Sequence, residues 1–234
     1  VTRAGALIVD FDGTACSVDV GAVLLDRFGR PGWREYDLAV DRGQIGLRQA
    51  LREQAAMLGG DPEEMVDYAV EHCRLEATFA GFVAWSEERG LPLTIVSDGF
   101  AFYIPPILSA AGLERVPVIT NEILFDSDGS PPTLTYPSGH PECVGCGTCK
   151  MRAVLSARER HGPVAFVGDG LADRYGALYS DVVFAKGHLM TICERDGVPF
   201  VPWDTFDDVR STLESLEETP GALAPERCPG WREP

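Results

Sequence analysis

The chain has 234 residues, 45% hydrophobic and 24% charged, with 36 acidic against 20 basic side chains and a formal net charge of -16. That length suits one sizeable domain carrying an insertion, and the composition is that of an ordinary globular protein. So acidic a chain repels phosphodiester backbones and argues against nucleic acid, while no apolar run reaches a membrane span and no signal-peptide core is present, so the expected setting is the cytoplasm.

The first informative stretch is Leu7-Ile8-Val9-Asp10-Phe11-Asp12-Gly13-Thr14. An apolar run ends in two carboxylates one residue apart, and strand alternation sends Asp10 and Asp12 to the same side. Buried carboxylates without partners are costly, so such a pair calls for a cation or a reaction; the plainer alternative is a helix N-cap. Gly13 allows a tight turn and a close ligand.

From residue 16 to about 77 the pattern is helical. Val20, Val23, Leu24 and Phe28 recur at helical spacing, closed by Gly29, Pro31 and Gly32. Leu47, Leu51, Ala55 and Leu58 form an apolar stripe with Arg48 and Arg52 beside it. Asp61-Pro62-Glu63-Glu64 is a helix start, with Asp61 as N-cap, proline at the first helical position and Glu64 placed for a capping box. This unit, tethered at both ends beside the carboxylate tip, is placed to act as a lid.

Beyond residue 79 strands and helices alternate. A helix through Phe79, Phe82 and Val83 leads to a strand at 91–96 that ends in Ser97-Asp98-Gly99, followed by a helix over 102–111. A strand at 116–120 enters a hairpin over 121–137 with Asp126-Ser127-Asp128-Gly129 at its turn. A helix over 150–161 precedes the strand Pro163–Val167, which ends in Gly168-Asp169-Gly170 with Asp173 beyond. A helix over 171–179, short strands at 182–185 and 198–201 and a helix over 209–216 complete the pattern. The fold class expected is α/β: a three-layer, Rossmann-like parallel sheet with an inserted small helical cap. Its core spans 1–15 and 78–218, its cap 16–77, and a proline- and glycine-rich flexible tail 219–234. In such sheets ligands bind beyond the strand carboxyl ends, where Asp10, Asp12, Ser97, Asp98, Asp169 and Asp173 would converge.

In order and spacing, Asp10-Phe11-Asp12-Gly13-Thr14, Ser97, Lys150 and Gly168-Asp169-Gly170 with Asp173 resemble the four motifs of the haloacid dehalogenase superfamily. The helical insert resembles the cap of its phosphoserine phosphatase-like branch. Within that branch, Cys143-x-x-Cys146-x-x-Cys149-Lys150, Ser180–Ala185 and Val201–Phe206 are similar to a methionine-salvage subfamily. The resemblance implies a Mg2+-dependent phosphomonoester phosphatase. Asp10 would be the nucleophile and Asp12 the acid and base. Mg2+ would sit among Asp10, the Asp12 carbonyl and Asp169, with Asp173 orienting Lys150 or a metal-bound water. Phosphate would be held by Ser97, Asp98, Gly99 and Lys150. The implied partner is a small phosphorylated metabolite, met by a monomer or homodimer. A methylthio-sugar phosphate is the leading substrate, phosphoserine or an amino-alcohol phosphate the alternative, and phosphoryl transfer by the same fold a further one.

Singly these residues have plainer readings: Ser97 as an N-cap, Lys150 as a surface lysine, Asp173 as a turn residue. Ser97-Asp98-Gly99 also departs from the Ser-Gly-Gly usual in phosphoserine phosphatases, since an added carboxylate repels phosphate unless it points away or meets a substrate donor. Asp19 and Arg52 match the branch's amino-acid-binding positions, although an arginine such as Arg52 is more often a solvated helix residue. His140, Cys143, Cys146 and Cys149 offer soft ligands for Zn2+. They form one run rather than two separated pairs, so reduced thiols are the default there, and Cys16, Cys193 and Cys228 read as ordinary thiols.

Overall fold

The computed structural model describes residues 4–126, 130–216 and 228. Among them seven strands, β1 (Ala6–Val9), β2 (Leu93–Phe100), β3 (Val118–Leu124), β4 (Thr133–Thr135), β5 (Val164–Gly168), β6 (Val182–Ala185) and β7 (Val201–Pro202), form one sheet. Their order is β4-β3-β2-β1-β5-β6-β7, parallel throughout except for the antiparallel edge strand β4. Strand alternation explains why the central runs are apolar without interruption. Leu7 and Val9 join a core on one face with Ala165, Val167 and Phe184, whereas Ala6 and Ile8 join a second core with Val164, Phe166 and Val183. Covering both faces leaves polar residues of the inner strands only one place to go, the carboxyl ends. Val9 pairs with Ile95 and with Val167, so the residues that follow them, Asp10, Val96-Ser97 and Gly168-Asp169, come out at about the same height in the sheet.

Between β1 and β2 come α1 (Val20–Phe28), α2 (Arg34–Asp41), α3 (Leu47–Ala55), α4 (Pro62–His72) and α5 (Phe79–Glu88). The first four make the helical insertion. Its two ends meet in a short antiparallel bridge between Cys16 and Leu75, with Ser17 N–H on Arg74 O and Glu76 N–H on Ala15 O. Asp61 caps α4 as the sequence requires, accepting from Glu63 N–H at 2.9 Å, and this direct bond takes the place of the reciprocal box expected with Glu64. Helix α2 has no buried side chain, which is why no apolar stripe announced it.

The remaining helices are α6 (Ile104–Ala110), α7 (Lys150–His161), α8 (Arg174–Tyr179), α9 (Gly187–Asp196) and α10 (Phe206–Ser215). Helix α9 is absent from the sequence reading, although Gly197, left-handed at φ +68°, closes it in the usual way. Helix α6 is shorter than the expected 102–111 and β3 lies later than 116–120, as propensity fixes element ends poorly. Phe206 anchors the last helix, its ring centroid 4.9 Å from Phe79, 5.1 Å from Phe82 and 5.0 Å from Trp203. Of the expected turn only Asp126 is described, and of the tail only Cys228; the rest of both lie outside the described residues. Among the described residues no helix is long and apolar enough to cross a membrane.

Candidate active site

The chain leaves β1 through a tight turn over Phe11–Ala15 in which Gly13 takes φ +76°. A side chain on Gly13 would be strained by that φ and would strike the Asp169 carboxylate at 2.4 Å, so the glycine lets β1 and β5 present their acids side by side. Thr14 Oγ1 donates to Asp169 Oδ1 at 2.9 Å, and Asp10 N–H is held by Val167 O at 2.9 Å. Phe11, turned the other way, is wholly buried in the first core.

Lys150, the first residue of α7, delivers a buried ammonium to this tip. Its Nζ donates to Asp10 Oδ1 at 2.5 Å and to Asp173 Oδ1 at 2.6 Å. Burial works against the ammonium, but the charges of Asp10 and Asp173 outweigh it and hold Lys150 above the usual lysine range. The surface-lysine reading is therefore excluded. Asp173 in turn accepts at Oδ2 from the amides of Asp169, at 2.8 Å, and Gly170, at 3.0 Å. A Cβ on Gly168 would sit 2.5 Å from that same oxygen. Asp173 thus ties the β5 loop to Lys150, and both its oxygens are engaged.

Asp12 faces the helical insertion. Its Oδ1 accepts from Val20 N–H at the start of α1, at 2.9 Å, and its Oδ2 accepts from Tyr103 at 3.2 Å and Ser97 at 3.3 Å. Burial and then the charge of Asp19 raise its carboxyl to about 7, so near neutral pH it exchanges between its protonated and ionised forms. Tyr103 escaped the sequence reading. Its signal is a phenol inside an apolar helix start, which must find a polar partner when buried. Gly99 leaves room for this cluster, since a Cβ there would meet the Tyr103 hydroxyl at 2.2 Å.

Ser97 is not an N-cap: α6 begins later, and Ser97 Oγ accepts from Gly99 N–H at 2.9 Å. Asp98, expected beside Ser97 and Gly99 at the phosphate, turns its carboxylate elsewhere. Oδ1 accepts from Thr148 N–H at 2.8 Å, and buried Oδ2 has no hydrogen-bond partner. Asn121 braces the same turn through Asp98 O at 2.7 Å. The added carboxylate of Ser97-Asp98-Gly99 is accommodated by its bond to the Thr148 amide, just before Lys150.

These groups floor a cavity of about 290 Å³ beneath the insertion. Its outer wall is largely apolar, with Leu24, Leu47, Leu51, Leu58, Trp33 and Phe102 among its lining residues. Asp19 lines it but also caps α1, accepting from Ala22 N–H at 2.8 Å. Arg52 does not line it: one position from Leu51, it lies on the exposed side of α3. Asp37 and Gln54, unforeseen, do line it, bonded to each other at 2.6 Å. Lys150 is the sole basic side chain among the described lining residues.

Asp10, Asp169 and Asp173 each offer a carboxylate oxygen, all within 4.8 Å of one another. Burial, then Asp173, pushes Asp10 well above the usual carboxylate range, and the same two causes raise Asp169 to about 6. Three hard oxygen donors facing one ammonium leave excess negative charge, which a divalent cation of the Mg2+ type would offset; the residues fit such an ion. Asp10 and Asp169 are its open donors, since Asp173 is already bonded on both oxygens. The Asp12 carboxylate lies outside this group.

A family model of haloacid dehalogenase-like hydrolases matches residues 7–177. A Geobacillus kaustophilus protein named 2-hydroxy-3-keto-5-methylthiopentenyl-1-phosphate phosphatase is 30% identical over 224 residues, covering 93% of this chain and 99% of that one. A Bacillus velezensis protein of the same name is 26% identical, covering 93% of each chain. Among solved structures, a substrate-bound phosphoserine phosphatase complex superposes with a TM-score of 0.69 at 16% identity, covering 91% of this chain and 99% of that one. At such identity the likeness is one of fold.

Proposed function

Because the chain belongs to the haloacid dehalogenase-like hydrolase family, we propose that it is a Mg2+-dependent phosphomonoester phosphatase working through an aspartyl-phosphate. Its substrate on this reading is a methylthio-sugar phosphate. The observation that carries the substrate class is the cavity: a charged floor beneath an apolar wall, with Lys150 as the one basic side chain among the described lining residues. Phosphoserine would bring a carboxylate to a wall whose described residues offer Asp19 and Asp37 and no cation, whereas a thioether chain needs only apolar surface and a hydroxyl or ketone can bond Gln54. The names borne by the Geobacillus and Bacillus relatives support the same class.

Asp10 attacks phosphorus, and the bond to the leaving oxygen breaks as Asp12 delivers its proton to that oxygen. In the second half Asp12 takes a proton from water, the water oxygen attacks phosphorus, and the acyl phosphate bond opens to free Asp10 and release inorganic phosphate. Lys150 spends two of its three N–H donors on Asp10 and Asp173 and keeps one for a phosphate oxygen. Ser97 completes the phosphate site. Asp10, Asp169 and the Asp12 carbonyl would hold Mg2+, which would supply positive charge to offset carboxylate–phosphate repulsion. Residues 16–77 serve as a cap hinged at the Cys16–Leu75 bridge, coupled to the chemistry through the Val20 amide on Asp12.

Phosphate release from a panel holding the methylthio-ketose phosphate, phosphoserine and amino-alcohol phosphates, with Mg2+ or EDTA, tests both levels. Mg2+-dependent turnover selective for the methylthio ester, and lost in Asp10→Asn, is expected. Preference for phosphoserine would overturn the substrate; no release from any ester by the Mg2+-loaded protein would overturn the reaction.

A further inference from the structure

The loop between β4 and α7, residues 136–149, has no helix or strand, yet it holds two parts of the molecule together. Thr148 N–H fixes Asp98 beside the catalytic tip, while Gly145 O accepts from Leu47 N–H at 2.8 Å and Cys146 O from Arg48 Nε at 3.0 Å, both on α3. The Arg48 guanidinium also stacks over Tyr136, 4.6 Å from its ring centre. An irregular loop of this length needs cross-links of its own to keep one shape.

In sequence these ligands form one run, which cannot readily wrap a tetrahedron; the folded chain adds a second arm. Cys228, from the far end of the chain, reaches the same small cavity, about 60 Å³, that Cys143, Cys146, Cys149 and His140 line. Its backbone N–H is seated on the Tyr179 hydroxyl at 3.1 Å. Two sequence-distant arms can wrap a tetrahedron, and none of the seven cysteines is joined in a disulfide. We propose that Cys143, Cys146, Cys149 and Cys228 form a structural Zn2+ site that ties the 136–149 loop to Cys228. No three of these ligand atoms lie within 4.8 Å of one another, so side-chain rotation brings the sulfurs onto the ion.

The full chain, expressed with zinc and purified under reducing conditions without chelator, is expected to carry about one Zn2+. Exchange for Co2+ is expected to produce thiolate-to-metal charge-transfer absorption, which the sulfur-free Asp10 cluster cannot give. Cys228→Ser and Cys143→Ser are each expected to weaken metal binding by about tenfold or more, with Cys193→Ser, buried on α9 in the second core, unchanged. Cys228 lies outside both cores, so its variant tests the site without threatening the fold. Zinc-free protein with fully titratable thiols, a Co2+ spectrum lacking charge transfer, a mass showing a disulfide among these cysteines, or Cys228→Ser binding as tightly as the parent would each overturn the proposal. None of these readouts depends on phosphatase activity.

Discussion

Replacing Lys150 by methionine removes one buried ammonium while nearly keeping side-chain length. Nζ lies 2.5 Å from Asp10 Oδ1 and 2.6 Å from Asp173 Oδ1, with the lysine side chain 2% exposed. The variant leaves two carboxylates facing each other out of water, and breaking a buried pair in this way costs about 3–5 kcal/mol. For a chain of this size each kcal/mol moves the melting temperature by roughly 2–4 °C, so a fall of about 6–20 °C is expected in EDTA near neutral pH. Two further signs follow from the geometry. The deficit shrinks on acidification, because protonating Asp10, whose carboxyl is already raised, removes uncompensated charge, and Mg2+ restores part of it by supplying a replacement cation. Adding Asp173→Asn to Lys150→Met costs less than the sum of the single losses, since the two residues share one interaction. Thermal and urea unfolding with EDTA or Mg2+ at two pH values measures all of this. A melting temperature equal to the parent's, or a deficit that grows with acid, would refute the electrostatic account of the lysine.

The carboxyl of Asp12 is raised from 3.8 to about 7, so the native state binds more protons than the unfolded chain between those values. Metal-free protein is therefore expected to lose stability as pH rises from about 4 to 7, by a few kcal/mol at most, and Asp12→Asn to flatten that slope in chemical denaturation. Gly99→Ala places a methyl 2.2 Å from the Tyr103 hydroxyl and 2.7 Å from Asp12 Oδ2; with Asp12, the proposed proton donor, displaced, kcat is expected to fall about 10²-fold in steady-state assays while circular dichroism stays native. Tyr103→Phe deletes a hydrogen bond that stabilises the Asp12 anion, so the alkaline limb of the kcat–pH profile is expected to move to higher pH. An unmoved limb would show that Asp12 is not the group titrating there.

Local chemistry made the frame legible. Leu7–Val9 and Val164–Val167 are apolar on both faces because the sheet is covered on both, and their first polar residues, Asp10 and Gly168-Asp169, mark where cover ends. Asp61-Pro62 starts α4 through bonds made within one turn, which is why that start could be read from the sequence. Where a side chain points depends instead on partners far along the chain. Asp98 turns to Thr148, Tyr103 reaches Asp12, Arg52 lies outside the cavity that Leu51 enters, and Cys228 arrives beside Cys149. Periodicity reports which face of an element is buried; it carries no information about what is packed opposite. The sequence by itself determined the strands, the carboxylate tip and the helical insertion, because those follow from backbone geometry and burial. Only the tertiary structure decided the cavity's lining and the company of each polar group, because a buried donor or charge takes whatever partner the folded chain brings within reach.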